Sequence, residues 1–232
     1  SKIILLVHYS AELHNCAQHA RIVLSCSSST LRMGVDLGVI PRSARLGPVN
    51  AIYYLPGAKG HLHTGLGEGL LARGLDVSGR ATVGEFRQYH FDDQVALIAQ
   101  DLQQPQWWTP WARVVTNSYG SYLFLHAQRL MPPHPARILM LSPILGGFES
   151  EEQGKFFVPP YADRLMTEVR AGQFPAPLQL SLHTGSEDWQ SPPALALEFG
   201  QHTGAQVTIA PGRGHMLGKD YVGPVLDEWL GG

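Results

Sequence analysis

From residue 51 onward, short apolar runs rich in β-branched residues alternate with longer segments of helical period, and this alternation leaves few architectures open. The runs are AIYYL (51–55), ARVVT (112–116), RILML (137–141), LQLSL (178–182) and QVTIA (206–210). Between and after them, Leu, Ala and Val recur at three- and four-residue spacing, which predicts helices over 64–72, 92–103, 119–130, 192–202 and 222–230. Strands that are apolar along their whole length have no face to give to water. They therefore belong in a mostly parallel sheet covered by helices on both faces, an α/β fold. Two earlier runs, IILLV (3–7) and RIVLSC (21–26), have no convincing helix between them and are expected to form antiparallel hairpin strands at one edge. At 232 residues the chain has enough length for one large core, and a single domain over 1–232 is expected.

Composition removes several function classes. A formal net charge of -2, with 44% hydrophobic and 16% charged residues, gives no electrostatic bias toward polyanions, so no nucleic-acid partner is expected. The N-terminal apolar run is too short for a signal segment or a membrane span and reads as a strand, which points to a cytoplasmic protein with no membrane partner. The only two cysteines, Cys16 and Cys26, read as small buried hydrophobes, with a bridge between them as the alternative. Oligomeric state has no signature in the sequence.

One segment breaks the alternation. Residues 144–177, beginning ILGGFESEEQGKFF, are rich in Gly, Pro and aromatics, with a possible helix over 161–171. Insertions of this length usually serve function, and this one is expected to form a short cap.

The chemistry-bearing residues stand after strands. Ser118 follows ARVVT at a sharp strand-to-helix turn, which would project its hydroxyl at the C-terminal edge of a parallel sheet, where open α/β folds bind ligands. Gly120 removes side-chain bulk two residues after it. On its own a serine there also fits a plain helix cap. Asp188, in HTGSEDWQSPP, follows LQLSL, and His215, in PGRGHML, follows QVTIA. Three residue types at three strand ends, in the order Ser, Asp, His, have no packing rationale. A serine hydroxyl is a weak nucleophile at neutral pH and needs an imidazole to take its proton, and a carboxylate orients that imidazole. Glu187, beside Asp188, reads as a solvated loop charge.

Acyl transfer also needs donors for an oxyanion. The backbone N–H of Tyr119, next after the serine, is one candidate. The other comes from LPGAKG after AIYYL, where Gly57 permits a turn that directs the Ala58 N–H into the site. A simple glycine turn fits LPGAKG equally well.

From about residue 52 to 230 these segments resemble the α/β-hydrolase family. HTGSEDWQSPP and PGRGHML look like its acid and histidine loops, and LPGAKG looks like its oxyanion loop. The resemblance implies an eight-stranded mostly parallel sheet, no metal and no organic cofactor. Two positions depart from the pattern: Thr116 stands where the elbow usually has glycine, and Pro56 where the oxyanion loop often has histidine.

Other features read as structure. Gly65, Gly67 and Gly69 lack the spacing of a nucleotide loop. His61 and His63 have no acidic or cysteine partner at metal-ligand spacing and are expected near the site mouth. Trp107, Trp108, Trp111 and His126 are expected to pack. The function expected is a serine hydrolase acting on a small or medium acyl ester, with thioester or lactone cleavage within the same mechanism. Phe148, Phe156, Phe157 and Tyr161 of the insertion are the candidate apolar pocket residues. The rival reading is a binding or receptor protein that keeps the fold with little turnover.

Overall fold

The computed structural model describes residues 50–152 and 154–231. The strands read at 3–7 and 21–26, the edge hairpin and the Cys16 and Cys26 question lie outside them.

Among the described residues, eight strands and seven helices follow one another: β1 (Ala51–Leu55), α1 (Leu66–Leu71), β2 (Asp76–Gly79), α2 (Gly84–Gln88), α3 (Phe91–Leu102), β3 (Arg113–Asn117), α4 (Tyr119–Gln128), β4 (Arg137–Leu141), β5 (Phe148–Ser150), β6 (Lys155–Phe157), α5 (Arg164–Arg170), β7 (Gln179–Gly185), α6 (Pro193–Thr203), β8 (Gln206–Ala210) and α7 (Lys219–Gly231). Six strands form one sheet in the order β2-β1-β3-β4-β7-β8, with every pair parallel. The remaining two, β5 and β6, pair antiparallel as a separate hairpin inside the insertion.

Residues that alternate along each strand pack into different layers, which is why the runs read as apolar throughout. Tyr53, Leu55, Val114, Ile138 and Met140 join residues of α3 to α6 in one buried cluster. Ile52, Tyr54, Val115, Leu139 and Leu141 join Leu70 of α1 and Leu226 of α7 in the other. Helix α4 lies against the centre of the sheet and is buried over nearly its whole length. Its sequence, YGSYLFLHAQ, accordingly shows no polar stripe.

Strand order fixes where a site can form. The chain runs from β1 outward to β2, then returns to place β3 on the other side of β1. At such a reversal the loops after the two central strands diverge and leave a crevice at their C-terminal ends. The loops after β1 and β3 carry Ala58 and Ser118.

The insertion is anchored rather than free. Arg129, just after α4, makes a two-pronged ion pair with Glu168 of α5, at 2.5 and 2.6 Å. The Tyr122 hydroxyl donates to the Pro160 carbonyl at 2.6 Å. Among the described residues no helix is long and apolar enough to cross a membrane.

Candidate active site

The elbow at Ser118 is strained and clamped. Ser118 has φ 50° and ψ -122°, a left-handed conformation that L side chains avoid at a cost of about 1–3 kcal/mol. Its N–H donates to Leu141 O at 3.0 Å, and its carbonyl accepts from Ser121 N at 3.0 Å and Ile144 N at 3.3 Å. Gly120 is required by contact: a Cβ there would lie 2.2 Å from the Leu55 carbonyl oxygen. Helix α4 thus starts directly against the end of β1. Thr116, fully buried, is accommodated because its hydroxyl bonds the Ser121 hydroxyl at 2.7 Å.

Ser118, His215 and Asp188 come together although 97 and 27 residues separate the pairs. Ser118 Oγ lies 2.8 Å from His215 Nε2, and His215 Nδ1 lies 3.0 Å from each Asp188 oxygen. A carboxylate only accepts, so the hydrogen sits on Nδ1, and in the neutral imidazole Nε2 is left to accept the Ser118 O–H. Asp188 is 1% exposed, and its Oδ1 also accepts the N–H groups of Gln190 at 3.0 Å and Ser191 at 2.9 Å. These bonds fix the carboxylate before the imidazole reaches it. Glu187 is exposed and bonds through its backbone, its N–H donating to Arg213 O at 2.8 Å.

The loop after β1 passes close to the serine. A Cβ on Gly57 would stand 3.2 Å from Ser118 Cβ and 3.1 Å from Asn117 Nδ2. Asn117 Oδ1 accepts both the Gly57 N–H and the Tyr54 hydroxyl, each at 3.0 Å, and so ties the loop to the elbow. Burial raises the Tyr54 hydroxyl pKa above its ordinary value and keeps it a donor. Among the described residues, the N–H groups of Ala58 and Tyr119 have no hydrogen-bond acceptor.

The aromatic residues of the insertion divide. Phe157 packs edge-on against Tyr119 at 6.0 Å and against Phe148 at 5.2 Å, and Phe148 meets Trp189 at 5.4 Å. A wall of rings therefore runs from the residue after the serine to the residue after the acid. Phe156, its neighbour on the strand, is 79% exposed and makes no ring contact among the described residues. Tyr161 lies farther along α4, packing on Phe91 at 5.9 Å and donating to Asp92 at 3.0 Å.

The residues set aside as structural also have definite places. Trp107 packs on Tyr53 and Trp108 on His134, while Trp111 is exposed. His126 is buried among Phe91, Tyr122 and Tyr161, with both ring nitrogens unpartnered among the described residues. His61 and His63 are exposed. Among the described residues no three His, Cys, Asp or Glu side chains are grouped to hold a metal ion. A polar groove of about 680 Å³, lined by residues that include Gln179, His183, Gln206, Tyr221 and Glu228, contains none of Ser118, Asp188 and His215.

Sequence reasoning missed Asn117 and Trp189. Trp189 is the immediate neighbour of the acid, and its position beside a strand-end residue was the signal that could have found it. Asn117 carries no spacing signal, because its role depends on a loop 60 residues away in the chain.

No family model matches the chain, and no curated protein matches it. Solved structures do. The chain superposes on mouse alpha/beta hydrolase domain-containing protein 10 with a TM-score of 0.55 at 14% identity, covering 80% of this chain and 91% of that one. A thermophilic esterase gives 0.54 at 14% identity over 78% and 89% of the two chains. A carboxylesterase structure from the thaumarchaeon Nitrososphaera gargenis gives 0.52 at 12% identity over 80% and 92%. The fold is the α/β-hydrolase fold.

Proposed function

We propose that this protein is a serine hydrolase that cleaves carboxylic ester-type bonds through an acyl-enzyme, with Ser118 as nucleophile, His215 as general base and acid, and Asp188 as its orienting carboxylate. The observation that carries the reading is the continuous bonded chain from Ser118 Oγ through His215, at 2.8 and 3.0 Å, to a fully buried carboxylate. The strained elbow supports it, since positive φ at a non-glycine residue persists only where the surroundings enforce it.

In this reading the Ser118 hydroxyl proton passes to His215 Nε2 as Oγ bonds the acyl carbon. The carbonyl π electrons move to oxygen, and the unoccupied N–H groups of Tyr119 and Ala58 meet that oxyanion. Collapse expels the alcohol, which takes the proton from Nε2. Water then repeats the sequence and releases the acid and free Ser118. Each oxyanion donor is worth about 100 to 1000-fold in turnover.

The wall formed by Tyr119, Phe157, Phe148 and Trp189 favours a small or medium apolar acyl group beside the nucleophile. Gly57 keeps the facing side open. Tyr161 packs instead on Phe91 and His126, and Phe156 is exposed. The same steps serve thioesters and lactones. The esterases and carboxylesterase among the structural neighbours are consistent with this chemistry.

The test is intact-mass spectrometry after incubation with a fluorophosphonate probe. Wild type should gain one adduct, lost in Ser118→Ala and strongly reduced in His215→Ala. A folded wild type that gains no adduct overturns the hydrolase reading and leaves a non-hydrolytic binding protein as the better account. A panel of acyl esters and thioesters of graded length then sets the substrate range.

A further inference from the structure

We propose that Thr82, in the loop between β2 and α2, is a positioning residue that sets the peptide plane presenting the Ala58 N–H to the oxyanion; this rests on the hydrolase reading above. The reasoning starts from peptide geometry. The Gly57 carbonyl and the Ala58 N–H belong to one planar trans unit and point in opposite directions. Whatever holds the carbonyl aims the N–H.

Two donors converge on that carbonyl. The Thr82 hydroxyl donates to Gly57 O, and Gly60 N–H donates to the same oxygen at 2.9 Å, closing a four-residue turn. Thr82 Oγ also accepts from Gly60 N at 2.8 Å, and the Thr82 N–H donates to Gly60 O at 3.0 Å. A single threonine thus grips both ends of the turn. The turn needs a grip, because Lys59 sits at φ 61° with no glycine to relieve it. A flip of the 57–58 peptide would turn its carbonyl, instead of its N–H, toward Ser118.

The grip is itself fixed. Thr82 is 4% exposed. Two residues earlier, Arg80 makes a two-pronged pair with Asp101 of α3, both contacts at 2.7 Å, and Tyr53 of β1 donates to the same carboxylate at 2.7 Å. In the preceding peptide unit Asn117 Oδ1 takes the Gly57 N–H. Consecutive peptide units are therefore held by different side chains, with the Ala58 N–H left as the donor that has no internal acceptor among the described residues. Holding both lone pairs of Gly57 O also polarises the unit and strengthens its N–H as a donor.

The experiment compares wild type, Thr82→Val and Thr82→Ser on one ester substrate, together with inhibition by an alkyl boronic acid, whose tetrahedral Ser118 adduct places an oxygen where the oxyanion would sit. Val keeps the shape and removes the hydroxyl. Thr82→Val is expected to lose about 10 to 100-fold in kcat, part of the full value of one oxyanion donor, and a comparable factor in boronate affinity, with KM changed by less than about threefold. Thr82→Ser, which restores the hydroxyl, should recover most of both. Where Thr82→Val melts far below wild type, Thr82→Ala is measured below both melting temperatures against the same criteria. Equal kcat and equal boronate affinity in an active wild type and the hydroxyl-less variant overturn the role of Thr82. A wild type that neither turns over nor takes the fluorophosphonate overturns the hydrolase reading instead.

Discussion

Replacing Gly120 with alanine should damage both stability and turnover, although alanine is the better helix former. In an unobstructed helix the change gains about 1 kcal/mol. Here the new Cβ would stand 2.2 Å from the Leu55 oxygen and 2.5 Å from the Pro56 oxygen, both backbone atoms that no rotamer change can move. Relief needs a separation of about 0.8 Å between α4 and the end of β1, and overpacking of this kind costs about 1–3 kcal/mol. The net expectation is a loss of up to about 2 kcal/mol, which for a chain of this size lowers Tm by up to about 8 °C. The catalytic effect is larger, because Gly57 and Ala58 follow Pro56 directly and move with it. Misplacement near 1 Å costs on the order of 100-fold in rate, so kcat should fall about 10 to 100-fold with little change in KM. Thermal melting and steady-state kinetics on a chromogenic acyl ester read both quantities. Gly69→Ala in α1 is the internal control, since its Cβ would meet only Arg73 Nη1 at 3.7 Å, and it should stabilise slightly. A Gly120→Ala protein as stable and as active as wild type would refute the close approach of the elbow and the loop after β1.

Other consequences are equally open to measurement. Asp188→Asn keeps the acceptor for Gln190 and Ser191 but no longer selects the Nδ1–H tautomer of His215, so kcat should fall about 10⁴-fold with the fold intact by circular dichroism; a loss under tenfold would exclude the assigned role. Asn117→Ala strands the Gly57 N–H and the Tyr54 hydroxyl, which should cost about 1–3 kcal/mol and, by freeing the loop, at least tenfold in kcat; unchanged denaturant midpoint and rate would exclude it. Burial, reinforced by the nearby Arg129, pushes the His126 imidazole down to about 4 from its usual 6.5. The unfolded chain therefore binds a proton between pH 6.5 and 4 that the folded one refuses. Stability is full above pH 6.5 and falls toward pH 4, by on the order of 3 kcal/mol from this group. His134 and His183, also pushed down by burial, add in the same direction. His126→Phe should flatten the acid side of the Tm-against-pH curve, and an unchanged slope would show that His126 is not the group responsible.

Much of the fold was legible because its signals are local. AIYYL, RILML and QVTIA coincide residue for residue with β1, β4 and β8, since a continuous apolar run bounded by turn residues has no other low-energy home in a buried parallel sheet. Helices α3, α4 and α6 lie within one to two residues of the periodic patterns. The short elements were missed for the converse reason. DVSG of β2 is strand only because β1 offers it a partner, from Ala51 beside Asp76 to Tyr54 beside Gly79. GEFRQ of α2 is shorter than two helical turns, and the β5–β6 hairpin depends on Phe148 meeting Phe157 across an acidic turn. The insertion helix α5 covers only Arg164–Arg170 of the 161–171 read from periodicity, because Tyr161 takes a left-handed conformation at φ 61° before it begins.

The sequence by itself determined that a serine, an acid and an imidazole follow three strands, that a glycine stands two residues after the serine, and that an irregular insertion comes after β4. These depend on the order of residues along the chain, and neighbours a few positions apart suffice to express them. Tertiary structure alone decided that Ser118 and His215 lie 2.8 Å apart, that Asn117 holds the loop after β1, and that the Thr82 hydroxyl bonds the Gly57 carbonyl. Those contacts join segments separated by 25 to 97 residues, and their geometry comes from strand register and helix packing. Periodicity can place a residue at the end of a strand, but the direction of a peptide plane there is set by whatever packs against it from elsewhere in the chain.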